Sequence, residues 1–259
     1  MDNNNEYGLR KNHLELLEML EEIDALFTQN GIHYCLIYGS ELGAVRHGGF
    51  IPWDDDVDLG VLQTDLDKAE SLLDSLPYLY EHSEHHLEPS SPIGHVRYLF
   101  KNSASEDDLK NLKRYSTIDI WPIFRVSENR FKREFDHFIG LVHNLFVYRQ
   151  VPETRGKMVT VVSKVLLRVF SDNFMNRAQE RTFRYITSLN PKNHKLLTCN
   201  YSGKKMYAFP QDYYLKLVRK PFENLELPIS QYYDEQLTSW YGDYMTLPQK
   251  RDRVTEHPH

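Results

Sequence analysis

One short segment constrains this chain more than any other: Trp53-Asp54-Asp55-Asp56-Val57-Asp58-Leu59. From Asp56 onward acids alternate with apolar residues, and a period of two is the signature of an extended strand. Asp56 and Asp58 then project from one face, while Val57, Leu59 and Val61 enter a core from the other. Two carboxylates held so close repel each other unless a cation lies between them. A hard divalent ion with oxygen ligands, Mg²⁺ or Mn²⁺, suits that pair. The competing reading, a solvated acidic turn, leaves the apolar residues beside the acids unexplained. A calcium loop fails as well. Asp54, Asp56 and Asp58 have the right spacing, but the positions that need glycine and glutamate hold Leu59 and Asp65.

Around this strand the sequence reads as an α/β (α+β) core followed by a mostly helical half. Leu16, Leu17, Leu20, Ile23, Leu26 and Phe27 recur at helical spacing within residues 9–30, and Asn30-Gly31 supplies a stop. Ile32 to Tyr38 is short, rich in β-formers and reads as a buried strand. A short helical stretch follows at 41–45, the metal strand at 56–61, and a helix over 64–76 with Thr64 as its cap. Residues 95–101 and 116–124 read as extended, with a polar insertion at 102–115. Helices are expected over 131–148, 157–189 and 231–240. The split falls near residue 126, giving a core at 1–125 and a helical region at 126–259 packed on it, with the two able to form one domain. No internal repeat is visible.

Composition bounds the function classes. Of 259 residues, 41% are hydrophobic and 26% charged, as in a folded globular protein. The 37 acidic residues outnumber 31 basic ones for a net charge of -6, which argues against a chain that grips nucleic acid backbone. Two cysteines, Cys35 and Cys199, make neither a disulfide framework nor a four-thiolate zinc site. With no apolar leader or membrane-length run in view, a cytoplasmic location is expected.

Two further features join the acidic strand. Gly39-Ser40 stands at a strand end before a short helix, where glycine admits a ligand closely and N–H groups favour phosphate. Asp119, between Ile118 and Ile120, offers a third carboxylate from a later strand. A phosphate cradle, two metal-binding acids and a third acid outline a polymerase-β-type nucleotidyltransferase site on a small mixed sheet.

The run from Tyr38 to Asp58 (YGSELGAVRHGGFIPWDDDVD) closely resembles the signature of the LicD family of phosphotransferases. Ile118-Asp119-Ile120-Trp121-Pro122 is similar to the family's second motif. Pro221-Phe222-Glu223-Asn224-Leu225 with Leu227-Pro228, and Tyr241-Gly242-Asp243-Tyr244-Met245 with Leu247-Pro248 and His257, resemble its later segments. The similarity spans nearly the whole chain and is least constrained over about 130–205. Ser40-Glu41 stands where the family often has Thr-Leu, and Gly48 where it often has Lys. Glu41 would alter the donor pocket, and the change at Gly48 would weaken a phosphate contact.

The resemblance implies a metal-dependent enzyme of the nucleotidyltransferase fold superfamily, related to the fukutin-type ribitol-phosphate transferases. Such an enzyme moves a phosphorylated alcohol, phosphocholine foremost, from a CDP-activated donor to a sugar hydroxyl. The acceptor would be a cell-surface glycan, teichoic acid, lipopolysaccharide or capsule precursor, free or lipid-linked. Asp56, Asp58 and Asp119 are the expected catalytic and metal-binding residues, with Asp119 either completing the metal site or taking the acceptor's proton. Gly39, Ser40, Arg46, His47 and Trp53 are the expected substrate-binding residues, Arg46 as a fork on phosphate or in a salt bridge with Asp54 or Asp55. Two other readings stay open: transfer of a nucleoside monophosphate to a small molecule or protein, and a non-catalytic nucleotide- or glycan-binding module.

Three further features stand apart from that site. Tyr34, Tyr38 and Trp121 read as core before pocket wall. Glu81 to His86 reads as a solvated loop before a metal cluster. Met158, Val159, Val161, Val162, Val165, Leu166 and Val169 form an apolar stripe edged by Lys157, Lys164 and Arg168. The reading preferred for this stripe is inward packing, and peripheral contact with the inner membrane face is the other.

Overall fold

The structure is a computed structural model that describes residues 7–76, 79–81, 96–99, 117–151, 157–188, 194–199 and 205–253. The tract from His82 to His86, the insertion at 102–115 and His257 lie outside the described residues.

In chain order the elements are α1 (Arg10–Asn30), β1 (Tyr34–Leu36), α2 (Tyr38–Arg46), β2 (Asp56–Leu62), α3 (Leu66–Leu73), β3 (Leu79–Glu81), β4 (Val96–Leu99) and β5 (Thr117–Val126). Next come α4 (Arg130–Tyr148), α5 (Lys157–Val169), α6 (Asp172–Ser188), β6 (Leu196–Thr198), β7 (Phe209–Pro210), α7 (Asp212–Leu215), β8 (Leu217–Phe222), β9 (Leu225–Ser230) and α8 (Tyr233–Tyr241). The chain divides into two compact units: Met1–Glu81 with Val96–Pro122 and Asp212–His259, and His82–His95 with Ile123–Gln211. Residues 126–259 are therefore not one compact piece, because the last stretch folds with the first. Within this region, expected to be mostly helical, 217–230 forms the β8–β9 hairpin in register Leu217↔Ser230 to Phe222↔Leu225.

The first unit is built on a sheet ordered β1-β2-β5-β4-β3. β1 and β2 run antiparallel, with Leu36 opposite Leu59 and Tyr34 opposite Val61. The buried faces of both strands meet Leu16, Leu20, Ile23 and Phe27 from α1, Leu66 and Leu73 from α3, and Leu227 and Ile229 from β9. Each large side chain buried in this way contributes roughly 1.5–3 kcal/mol. Gly31, left-handed at φ 67, ends α1 by turning its N–H back to Phe27 and Thr28. α3 starts later than expected: Asp65, not Thr64, is the N-cap, and neither side chain caps the helix, since Thr64 Oγ1 donates to Asp65 instead. A smaller cluster of Leu42, Ile51, Leu237 and Tyr244 fastens α2 to α8.

In the second unit α4 packs along α6. Tyr185 donates to the buried Asp136 at 2.6 Å, His143 meets Thr182 at 2.9 Å, and Gln179 reaches the Phe146 carbonyl at 2.5 Å. Asn129 caps α4 through the Lys132 N–H. The single helix expected over 157–189 is two, because Ser171 accepts the Phe174 N–H and begins a new helix.

α5 also faces the opposite way from the preferred reading. Ser163 is buried, and Val161, Val162, Val165 and Val169 are exposed. The reason lies in a second stripe. Ser163, Leu166, Leu167 and Phe170 recur at i, i+3, i+4, i+7, and Phe170 stacks on Phe174 at 4.2 Å and meets Phe146 edge-on. That aromatic anchor fixes the helix's rotation and turns the valines outward.

Candidate active site

β2 raises Asp56 and Asp58 on one face, as period two requires, while Val57, Leu59 and Val61 are fully buried on the other. The neighbouring strand β5 brings Asp119. One carboxylate oxygen from each of the three lies within 4.8 Å of the others. Burial pushes the Asp58 carboxyl well above the usual range, and the charges of Asp56, Asp119 and Asp54 push the same way. Three acids so placed cannot all ionise comfortably without a cation, and an all-oxygen donor set fits a hard divalent ion. Two residues along β5 from Asp119, on the same face, Trp121 donates its indole N–H to Asp58 Oδ1 at 2.6 Å.

α2 and the loop after it frame this trio. Ser40 is buried, and its hydroxyl oxygen accepts the Asp58 N–H at 2.8 Å, which pins the acid-bearing strand to the helix start. A Cβ added at Gly39 would lie 2.7 Å from Asp54 Oδ2, so glycine lets the Asp54 carboxylate approach here and a larger residue would displace it. The loop is braced from below: His13 donates to the Asp54 carbonyl at 2.7 Å while stacking on Phe50. Glu41 does not enter a donor pocket. It is fully buried, with one oxygen accepting the Ser230 N–H at 3.2 Å, and that burial holds its carboxyl well above the usual range.

Arg46, His47 and Trp53 gather at a basic rim. Arg46 donates to the Tyr244 carbonyl at 2.7 Å and to His47 at 3.0 Å. His47 lies 6.1 Å from the Trp53 ring, and the Arg253 guanidinium sits 5.2 Å over that ring. Burial, with Arg46 and Arg253 adding to it, pushes His47 down to about 4, so it is neutral at physiological pH. Two guanidiniums and a neutral imidazole form an edge suited to an anion.

Aromatic rings close in beside the acids. Tyr38 meets Trp121 edge-on at 5.5 Å and Trp240 at 4.8 Å. All three rings are half-buried, so Tyr38 and Trp121 stand at a wall and not in the core. Tyr34, by contrast, is buried, and its hydroxyl donates to Asp24. Tyr38 holds its place with a left-handed backbone at φ 49, a conformation that costs a non-glycine residue about 1–3 kcal/mol. Trp240, Arg253 and His13 have no signal at sequence level. They lie far along the chain from the acids and reach this region only through packing.

Residues 31–150 match the family model described as LicD/FKTN/FKRP, nucleotidyltransferase domain. This stretch of the chain is therefore similar to a LicD-family domain. All three acids and the whole of α2 fall within it, whereas Trp240, Tyr244 and Arg253 fall outside. Among relatives, the lipopolysaccharide cholinephosphotransferase LicD of Haemophilus influenzae is 27% identical over 261 residues, covering 96% of each chain. The human ribitol 5-phosphate transferase FKRP is 30% identical over 112 residues, 42% of this chain and 20% of that protein. A solved structure of the lincosamide antibiotic adenylyltransferase LnuA, with lincomycin bound, aligns over 93% of both chains. Its TM-score is 0.39 at 13% identity, too loose a likeness to carry an argument about the site.

Proposed function

We propose that this protein is a phosphotransferase that moves a phosphorylated alcohol, phosphocholine foremost, from a CDP-activated donor to a sugar hydroxyl of a cell-surface glycan precursor. The observation that carries the reading is the joining of two chemistries through one bond, the Trp121 indole N–H to Asp58. On one side stand three carboxylates suited to a divalent cation, and on the other an aromatic wall of Tyr38, Trp121 and Trp240. Aromatic faces attract a quaternary ammonium group, so a choline head group and its phosphate find suitable partners within one site. The near full-length likeness to a cholinephosphotransferase supports the same choice.

Asp56, Asp58 and Asp119 would hold Mg²⁺ or Mn²⁺. Bound there, the ion would neutralise charge on the donor diphosphate. Arg46 and Arg253 supply positive charge at the rim for phosphate oxygens, and Ser40 keeps Asp58 in place. The acceptor hydroxyl gives up its proton to a carboxylate of the trio as its oxygen bonds to the head-group phosphorus; the bond from that phosphorus to the CMP oxygen breaks, and CMP leaves with the electron pair.

The test is CMP release by the purified protein from CDP-choline, CDP-ribitol and CDP-glycerol, with Mg²⁺, with Mn²⁺ and with chelator. The expected result is metal-dependent CMP, with CDP-choline the best donor. Pyrophosphate release from nucleoside triphosphates in place of CMP would overturn the reading in favour of nucleotidyl transfer. So would a lack of donor and metal binding by calorimetry together with no CMP.

A further inference from the structure

We propose that α5 docks the protein on an anionic lipid surface through its valine face. The argument rests on the second unit alone and is independent of the carboxylate site. α5 presents to solvent what helices of water-soluble domains ordinarily bury. Ser163 is 4% exposed, whereas Val161 is 59%, Val165 53% and Val169 69% exposed. Val161, Val165 and Val169 are spaced at i, i+4, i+8, and Val162 lies beside them, so they make one continuous stripe.

Charge decides what would cover that stripe. Lys157, Lys164 and Arg168 follow one another at seven and four residues along one edge of it, and α5 contains no acidic residue. The protein as a whole carries -6, so this local run of cations opposes the global balance. A covering surface must accept β-branched apolar side chains and present negative charge at their margin. The boundary between acyl chains and anionic headgroups does both. A second copy of the same face does not, since it would set Lys157, Lys164 and Arg168 against a like set. Geometry agrees with a peripheral role. Thirteen residues give a helix about 20 Å long, which lies in an interface and does not cross it. Among the described residues no helix is long and apolar enough to span a membrane.

The experiment is sedimentation of the full-length protein with vesicles of phosphatidylglycerol mixed with phosphatidylcholine, and with vesicles of phosphatidylcholine alone. Analytical ultracentrifugation without vesicles and far-UV circular dichroism run beside it. The wild type is expected to pellet with the mixed vesicles and at least about 10-fold more weakly with the neutral ones. Lys164→Glu with Arg168→Glu should lower that binding by roughly 100-fold or more. Val161→Asp with Val165→Asp should abolish it with helical content retained. If the valine variant loses helical content, the charge variant decides. Failure of the wild type to pellet with mixed vesicles overturns the proposal. So does wild-type binding by the charge variant. A wild-type dimer that the valine variant converts to monomer also overturns it and assigns the face to a second copy.

Discussion

β2 and α5 present their side chains in opposite senses. β2 buries Val57, Leu59 and Val61 and holds out Asp56 and Asp58. α5 buries Ser163 and holds out Val161, Val165 and Val169. In β2 each face has one chemistry, so the hydrophobic effect permits a single orientation. In α5 two apolar stripes compete, and the one that ends in Phe170 wins because three phenylalanine rings meet there. A segment with one apolar face reports its own orientation, whereas a segment with two leaves the choice to its neighbours.

That contrast can be broken in stages. The largest effect should come from the half-buried, acid-bearing side of β2. Asp58→Asn should lower turnover by about 10³-fold or more with the fold intact, because it removes one of three clustered carboxylates and weakens the Trp121 bond. Steady-state CMP release and circular dichroism check it, and near wild-type turnover would detach the trio from catalysis.

Next comes the buried side of the same strand set against α5. Leu59→Ala should cost about 2–5 kcal/mol in urea unfolding, whereas Val165→Thr should stay within about 0.5 kcal/mol. Equal costs would mean that the valine face is covered in the folded protein.

The smallest effect concerns Glu41, a buried acid outside the trio. Burial raises its folded carboxyl above the ordinary glutamate value of 4.5. The wild type therefore loses stability as pH rises above 4.5, where the unfolded chain ionises and the folded one resists. Glu41→Gln should match the wild type below that pH and be modestly more stable at neutral pH, read as urea midpoints at both. A stability difference that does not change with pH would show that Glu41 ionises freely in place.

Much of the site was legible in advance because it is local. The spacing of Asp56 and Asp58 needs only strand geometry, whereas Asp119, between Ile118 and Ile120, stands out only because the other two acids call for a third. Ser40 reads in the sequence as a phosphate ligand, and the structure adds that its oxygen accepts the Asp58 N–H. Glu41 reads in the sequence as a residue that alters the donor pocket, and in the structure it is fully buried with one oxygen on the Ser230 N–H. Neither outcome could be read from the dipeptide, because both depend on which backbone groups arrive from β2 and β9.

The sequence by itself determined the acid-bearing strand, the helix before it and the LicD-type motif, since period two and a short run of glycine, serine and acids act within about 20 residues. Only the tertiary structure decided that Trp240, Tyr244 and Arg253 return to that region and that α5 turns its valines outward. Long-range packing selects among faces that are nearly equal in local free energy, and no local pattern records that selection.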